Sequence, residues 1–273
     1  MTFSTLMVHL ELEHSNDARL QIAGDLAEQF DAKLIGIAAC DPHPAYYADG
    51  AMAHGFVEHE RTDVRKRMDE TEARFRAAMQ QRARDIEWRS AMARPTDYVA
   101  REARAADVVI AGAHRDGLLT DPLRQLDPSD LVMQAGRPIF LVPPEAEYLK
   151  LENVLVAWKD TREARRAVAD ALPLLHKAKE VNILEVVERD VSRSAAQDRV
   201  NDVAAWLGRH DILAFPKVMH AADEVDQIDR NWKSNADLVV AGAYGHSRFR
   251  EWVFGGVTRN LITRSRHCSF LAH

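Results

Sequence analysis

The sequence is poor in cysteine and carries no net positive charge. Only two of its 273 residues are cysteines, Cys40 and Cys268, and neither stands in a CxxC pair or another metal-binding motif. Two isolated cysteines cannot build a disulfide framework, so we expect two small apolar residues in a reducing compartment. The formal net charge of −6 argues against a general attraction to nucleic acid or to an anionic membrane.

Long apolar runs are also missing. A membrane-spanning helix needs about 20 consecutive apolar residues, and no stretch of the sequence approaches that length. The opening segment, MTFSTLMVHLELEH, has no basic leader and reaches an acidic residue by Glu11, so no signal peptide is expected. These features predict a cytoplasmic protein without a membrane partner.

Known catalytic arrangements are absent as well. The sequence has no GxxxxGK[ST] phosphate loop, no HExxH motif and no visible Ser–His–Asp or paired-carboxylate arrangement. His43, His54 and His59 share one Pro- and Gly-containing segment, but their spacing fits no metal site, so we expect solvated loop histidines. An amphipathic, charged helix is predicted after this segment, from about Val57 to Arg84. No catalytic mechanism follows from these motifs.

The chain does contain an internal repeat. ADVVIAGAH at Ala106–His114 matches ADLVVAGAY at Ala236–Tyr244, and at the same spacing RPIFLV from Arg137 matches HCSFLA from His267. The starts of the two halves also match as strand, amphipathic helix and strand. A repeat of this length indicates a duplicated domain. Alternating strands and helices predict a parallel sheet with helices on both faces in each copy.

The repeat defines two domains, 1–146 and 150–273, divided near VPPEAEYLKLEN, where Pro143 and Pro144 end a strand. In the second half the apolar pattern predicts strands near 153–158, 181–187, 212–219, 237–242 and 268–272, with helices near 161–177, 192–209, 222–234 and 252–265.

Glycine is scarce, with 12 residues, yet four glycines cluster in GAYGHSRFREWVFGGVTRNL, from Gly242 to Leu261. Ligands of doubly wound sheets collect beyond the carboxyl ends of the strands. A glycine there allows close approach of a ligand to the backbone, and a helix N-terminus binds anions. The cluster therefore predicts an anion site, to which Thr258 can add a hydroxyl. The alternative is a tight-turn glycine followed by a loose entry to a helix.

The spacing Gly-x-x-Gly, nine residues, Gly, followed by Val-Thr, resembles the ATP-binding signature of the universal stress protein family. The resemblance extends over nearly the whole chain, as two consecutive family domains. It implies an α/β fold of two tandem doubly wound domains, each a five-stranded parallel sheet of order 3-2-1-4-5 flanked by helices. It also implies ATP, with or without Mg, as a ligand of the C-terminal domain.

Carried over residue by residue, the resemblance places phosphates and ribose at the glycine loop, the nucleoside beside the first strand of the second half, and the adenine edge at the second strand. The implied nucleotide-binding residues are Ala157, Lys159, Val186, Ala241, Gly242, Gly245, Gly255, Gly256, Val257 and Thr258.

Two positions depart from the family pattern. The family usually has Ser or Thr at Gly256 and Asp at Lys159, whereas the nearest carboxylate here is one residue late, at Asp160. A lysine at this position either attracts phosphates or blocks an adenine contact, and the sequence leaves both readings open. In the first half Arg115 stands at the position of Gly245, and QLDP stands at the position of GGVT. The N-terminal domain is therefore predicted to bind no nucleotide.

The function that the resemblance implies is a regulatory adenine-nucleotide-binding protein of stress response, with at most slow ATP hydrolysis. One alternative is a nucleotide-free scaffold or interaction protein of the same fold. A dinucleotide-dependent oxidoreductase is disfavoured, because its glycine fingerprint follows the first strand, whereas this motif follows the fourth.

Family domains commonly pair through their fifth strands. In a duplicated chain the partner strand is already tethered, so RPIFLV and HCSFLA are expected to associate within one molecule. The expected result is an intramolecular pseudo-dimer with Phe140 and Phe270 near its interface. Further homodimerisation of whole chains is left open.

Overall fold

The computed structural model describes residues 2–42, 51–113, 121–187, 192–220, 236–244 and 267–273. In the first half, the strands are β1 (Thr5–His9), β2 (Lys33–Ala39), β3 (Asp85–Ala91), β4 (Val108–Gly112) and β5 (Ile139–Val142). The helices of this half are α1 (Asp17–Phe30), α2 (Ala51–Met79), α3 (Pro95–Glu102) and α4 (Pro128–Gln134), with a 3-10 turn at Ala103–Ala105.

In the second half, the strands are β6 (Asn153–Trp158), β7 (Glu180–Val187), β8 (Ala214–His220), β9 (Leu238–Gly242) and β10 (Cys268–Ala272). The described helices of this half are α5 (Arg162–Asp170), α6 (Leu172–Leu175) and α7 (Arg193–Gly208). The helices predicted near 222–234 and 252–265 lie outside the described residues.

The ten strands form one sheet in the order β3-β2-β1-β4-β5-β10-β9-β6-β7-β8. Within each half every strand pair is parallel and the order is 3-2-1-4-5. The predicted fold of two tandem doubly wound units is therefore confirmed.

The halves meet where β5 and β10 pair antiparallel, with Phe140 directly opposite Phe270. Both phenylalanines are fully buried, and the ring of Phe3 stacks on Phe270 with centroids 6.5 Å apart. Burying one such side chain stabilises the fold by roughly 1.5–3 kcal/mol. Since the two fifth strands use each other's edges, neither remains an open sheet edge at this junction.

The duplication is also visible in hydrogen bonds. The Asp107 carboxylate accepts backbone N–H groups from Ser4 at 2.7 Å and Thr5 at 3.0 Å, at the start of β1. Asp237 accepts the two N–H groups at the start of β6 in the same way, at 2.8 and 2.9 Å. Each aspartate precedes the fourth strand of its half and fixes that strand beside the first.

Apolar side chains cover both faces of the sheet, as expected for buried parallel strands. Helices α1, α5 and α7 pack on one face, here named the first layer, and α3 and α4 pack on the other, the second layer. Along β6, Val156 and Trp158 point to the first layer, and Leu155 and Ala157 point to the second. This alternation decides which side chains can meet at the end of each strand.

Two predicted helices differ from those observed. The charged helix begins at Ala51 and ends at Met79, so His54 and His59 lie in α2 and not in a loop, while His43 lies outside the described residues. The helix predicted near 161–177 is divided into α5 and α6, and Pro173 stands in the first turn of α6. Proline has no N–H to continue a helix but fits a first turn, which explains the division.

Candidate functional site

The candidate site lies at the carboxyl ends of β6, β7 and β9. The strand order reverses here, because β6 lies between β7 and β9, which follow it in the chain. At such a switch point the connections diverge and leave a crevice above the strand ends. Ala157 pairs directly with Ala241 across the two central strands, so the smallest chiral side chains line the crevice. Ala157 and Val186 keep partial exposure on the second-layer side.

Gly242 ends β9, and its missing side chain has a structural cause. A Cβ atom at this position would lie 2.6 Å from the carbonyl carbon of Glu163 and 2.9 Å from Ala164 Cα. Both distances are shorter than any ordinary carbon contact, so only glycine allows the first turn of α5 to pack on the end of β9. The Thr161 hydroxyl caps this turn by accepting the Ala164 N–H at 3.3 Å. The sequence assigned Gly242 to close approach of a ligand. In the structure, the first turn of α5 occupies the space that a side chain at this position would need.

Lys159 and Asp160 follow β6 and both are exposed. The Asp160 carboxylate lies 3.5 Å from the Arg165 guanidinium of α5. It therefore faces α5. Lys159 is the charged side chain nearest to the end of β6 along the chain.

The remaining implied nucleotide residues, Gly245, Gly255, Gly256, Val257 and Thr258, lie outside the described residues. The described segment ends at Tyr244, which is exposed and has a φ of 57°. A left-handed backbone costs a non-glycine residue about 1–2 kcal/mol, so the chain leaves β9 through a strained residue. Such strain is frequent at ligand-binding turns.

One buried charged group was not foreseen from the sequence. Glu185, in the middle of β7, is only 6% exposed, and its Oε1 lies 2.5 Å from Nη2 of Arg199 on α7. Trp158 is its direct neighbour on β6. The available signal was a glutamate at a first-layer position of NILEVV, where the alternate residues are apolar.

The first half has a different arrangement at the equivalent rim. Leu6 pairs with Val108 as Val154 pairs with Leu238, and counting along the strands makes His9 the counterpart of Ala157. The imidazole is 1% exposed, and burial, followed by the nearby Arg19 charge, lowers the pKa of His9 to about 4.

Further side chains fill the same end of the first half. Leu126 of the QLDP segment is buried in the second layer. Arg19, also buried, donates to Glu11 at 2.9 Å and lies against Gly112, the counterpart of Gly242. Burial acts to raise the pKa of Glu11, but the Arg19 charge and hydrogen bond together with two neighbouring histidines lower it overall. An imidazole, a leucine and a guanidinium thus fill the rim of the first half, and the counterpart of the imidazole in the second half is the small side chain of Ala157.

Ion pairs then bridge the loops above this end. The Arg124 guanidinium contacts Glu13, which follows β1, and Glu60 of α2 at 2.6 Å. Arg67, also on α2, reaches Glu13 at 2.9 Å. The network ties the segments after β1, before α4 and along α2 to one another.

A separate cavity of about 300 Å³ lies between α4 of the first half and α5 of the second. The Arg166 guanidinium on its wall donates to the backbone oxygens of His273 and Gly136, at 3.0 and 3.5 Å. Arg162 pairs with Glu163. Arg166 therefore joins the two halves, and Arg162 forms a local ion pair.

Two further searches cover only the described part of the chain. There, no group of three or more His, Cys, Asp or Glu side chains is arranged to hold a metal ion. No described helix combines the length and the apolar character that crossing a membrane requires.

The comparisons with known proteins show the fold of the chain. No family of related sequences and no curated protein matches it. A universal stress protein from Archaeoglobus fulgidus DSM 4304 has a similar structure, with a TM-score of 0.71 and 13% identity over 98% of this chain and 97% of that one. A functionally unknown protein from Pseudomonas aeruginosa PAO1 matches with a TM-score of 0.59 and 12% identity over 99% and 92%.

The same fold occurs in a third setting. The cytoplasmic domain of a prokaryotic cation chloride cotransporter matches with a TM-score of 0.51 and 10% identity over 98% of this chain and 94% of that one. At these identities the likeness concerns the fold, which is that of a tandem universal stress protein over the whole chain.

Proposed function

We propose that this chain, which has the fold of the tandem universal stress proteins, binds one ATP molecule at the carboxyl ends of β6, β7 and β9 as a regulatory ligand in stress response. The observation that carries the proposal is the pairing of Ala157 with Ala241 at the switch point. Ala157 keeps partial exposure at this rim, whereas His9, its counterpart in the first half, is buried. The ligand site therefore belongs to the second half alone.

In this proposal the parts of the nucleotide follow the order of the strands. The adenine edge meets the Val186 backbone on β7, the nucleoside lies over Ala157 and Lys159 at the end of β6, and the phosphates lie at the glycine loop after β9. Mg, when present, accompanies the phosphates. No general base or water-positioning group is identified beside the rim in the described residues, so we propose binding with at most slow hydrolysis.

The setting of this function is part of the proposal. We propose a cytoplasmic protein of two units, 1–146 and 150–273, joined as a pseudo-dimer through β5 and β10. Because both fifth strands are occupied inside the chain, a homodimer of whole chains would use another surface.

Calorimetry tests the site. Wild-type protein is expected to bind one ATP per chain. Ala157→His, which copies His9, should weaken binding about 10- to 100-fold, since a forced side chain costs about 1–3 kcal/mol. Gly245→Arg, which copies Arg115, should have the same effect. The matched control His9→Ala should leave one site of unchanged affinity, because Leu126 and Arg19 still fill the first half.

Two results would contradict this assignment. One is a stoichiometry of two equal sites, and the other is wild-type affinity in Ala157→His protein whose melting temperature is unchanged.

A nucleotide-free scaffold is the second candidate. The cotransporter domain favours it, because there the same fold is one domain of a larger protein, and Lys159 departs from the family pattern. Mass spectrometry of ligand released from freshly purified protein separates the two functions. Released adenine nucleotide supports the ATP site, whereas absence of nucleotide together with no ATP binding in calorimetry supports the scaffold.

A further inference from the structure

Three buried polar atoms beside the end of β6 lack a hydrogen-bond partner within the described part of the chain. They are Trp158 Nε1, Glu185 Oε2 and Arg199 Nε. Trp158 is 8% exposed and Glu185 6%, so bulk water satisfies neither. An unsatisfied buried polar group is costly, and most such groups in native proteins have a partner. Three together indicate a site for a bound group.

The three atoms belong to one cluster. Trp158 and Glu185 are directly paired residues of β6 and β7, and their side chains share the first-layer face. The other Glu185 oxygen holds Arg199 at 2.5 Å. The cluster therefore presents two N–H donors and one carboxylate acceptor. A group that accepts from a donor and donates to the carboxylate satisfies it, and an alcohol hydroxyl does both.

The charges of the cluster limit which kind of group can bind there. An anion entering the cluster would meet the Glu185 carboxylate, and a cation would meet the Arg199 guanidinium. A neutral hydroxyl avoids both repulsions while using the free atoms, and both ribose and water supply one.

The position of the cluster favours ribose. In the proposed site the phosphates lie after β9 and the adenine edge lies at β7, with β6 between them. The ribose of such a nucleotide stands over the end of β6, whose last residue is Trp158. Ala157 faces the second layer and Trp158 the first, so in this proposal the ribose hydroxyl crosses over the end of β6 to reach the cluster. Glu185 lies level with Trp158, since the two are paired. An acidic residue on the second strand of a doubly wound unit is also a general means of holding a ribose hydroxyl.

We propose that Trp158, Glu185 and Arg199 bind a ribose hydroxyl of the nucleotide, an inference that rests on the proposed function. Glu185 accepts a hydrogen bond from the hydroxyl, and the Trp158 indole N–H donates to the hydroxyl oxygen. Arg199 holds the carboxylate in place. The cluster then distinguishes ribonucleotides from deoxyribonucleotides.

The first test compares ATP with 2′-deoxy-ATP and 3′-deoxy-ATP by calorimetry on wild-type protein. One deoxy analogue should bind about 10-fold more weakly, as expected for loss of a hydrogen bond to a charged group. Equal affinity of all three nucleotides overturns the proposal and assigns the cluster to water. If no nucleotide binds, the proposed function itself fails, which is a different outcome.

The second test removes one donor while keeping the aromatic ring. Trp158→Phe should weaken ATP several-fold and leave the sensitive deoxy analogue unchanged, so that the preference for ribose disappears. Trp206→Phe is the matched control, because Trp206 lies on α7 and packs against His210. It should leave all affinities and the preference unchanged.

Protein stability is monitored in each variant by thermal melting. Retention of the full ribose preference in a folded Trp158→Phe protein contradicts the role of the indole. Glu185→Gln, which weakens the acceptor without changing its shape, should reduce the same preference. An unchanged preference in both variants overturns the proposal.

Discussion

The carboxyl rims of the two halves differ although their strands have the same order and register. His9 occupies the place of Ala157, and both residues pair with an apolar residue of the second strand in their half. Gly112 lies against the Arg19 side chain, whereas Gly242 lies against the backbone of α5. The same sheet thus accommodates large side chains at the rim of one half and a small one at the rim of the other. Whether a half can accept a ligand depends on a few side chains that the sheet itself does not constrain.

The length of the first connection explains part of this difference. Residues 10–16 join β1 to α1, whereas only residues 159–161 join β6 to α5. The short connection brings the α5 backbone onto the end of β9. The longer one leaves space that the buried Arg19 side chain fills. The duplicated halves have therefore diverged by loop length and local packing while keeping one architecture.

The largest expected effect comes from His9. The pKa of His9, about 4, lies below the ordinary value of 6.5. Between these pH values His9 is therefore protonated in the unfolded chain and neutral in the folded chain. The free energy of unfolding should have its full value above pH 6.5. It should fall by about 3 kcal/mol as the pH is lowered from 6.5 through 4. His9→Ala, which copies Ala157, should remove this component from urea unfolding measured across the window.

An exposed histidine provides the control. His176→Ala, on the surface after α6, should keep the wild-type dependence on pH. Identical slopes for wild type and His9→Ala between pH 4 and 6.5 would show that the folded chain does not exclude the proton from His9.

The paired glycines give the next effect. In Gly242→Ala the added carbon meets backbone atoms of α5, which cannot move aside without shifting the helix. The free energy of unfolding should fall by about 1–3 kcal/mol. In Gly112→Ala the nearest atom is the tip of the Arg19 side chain, at 3.3 Å, so the change should stay within about 0.5 kcal/mol. Urea denaturation measures both changes. Equal losses of free energy of unfolding would show that the two glycines do not differ in packing as proposed.

The sequence predicted those parts of the fold that depend on local pattern and on the repeat. Short apolar runs, some ending in Gly-Ala, predicted the strands, and the family resemblance implied the strand order. The structure places Ala157, Val186 and Ala241 near the carboxyl ends of adjacent strands, and their role in nucleotide binding stays a prediction. Contacts between distant segments were not accessible, because no local pattern shows that Arg199 meets Glu185 or that α5 occupies the space beside Gly242.

Boundary differences have the same origin. The start of α2 at Ala51 lies in a segment whose glycine, proline and tyrosine residues predict a loop. The division between α5 and α6 depends on one proline, Pro173, which the apolar pattern conceals. Likewise, the sequence indicated that QLDP, with Leu126, replaces the glycine motif in the first half, but not that His9 is buried at the same rim, since burial follows from tertiary packing.

The smallest expected effect concerns the ion pairs above the first rim. Arg124 joins Glu13 to Glu60, and its side chain is 14% exposed. Arg124→Ala should lower the free energy of unfolding by about 1 kcal/mol, because partly exposed pairs contribute little each. The loss should shrink in about 1 M NaCl, where the screening length is about 3 Å. Arg165→Ala, which removes an exposed partner of Asp160 in the second half, is the control and should change stability less.

Arg124→Ala also separates two explanations for the prediction that the first half binds no nucleotide. If the ion pairs close a site that is otherwise intact, Arg124→Ala should raise the ATP stoichiometry from one to two. If the filling of the rim is responsible, the stoichiometry should remain one, because His9 and Leu126 stay buried beneath the loops. We expect one site, since loss of a salt bridge does not remove the side chains that occupy the rim. Calorimetry that finds a second site would assign the difference between the halves to α2 and its charges.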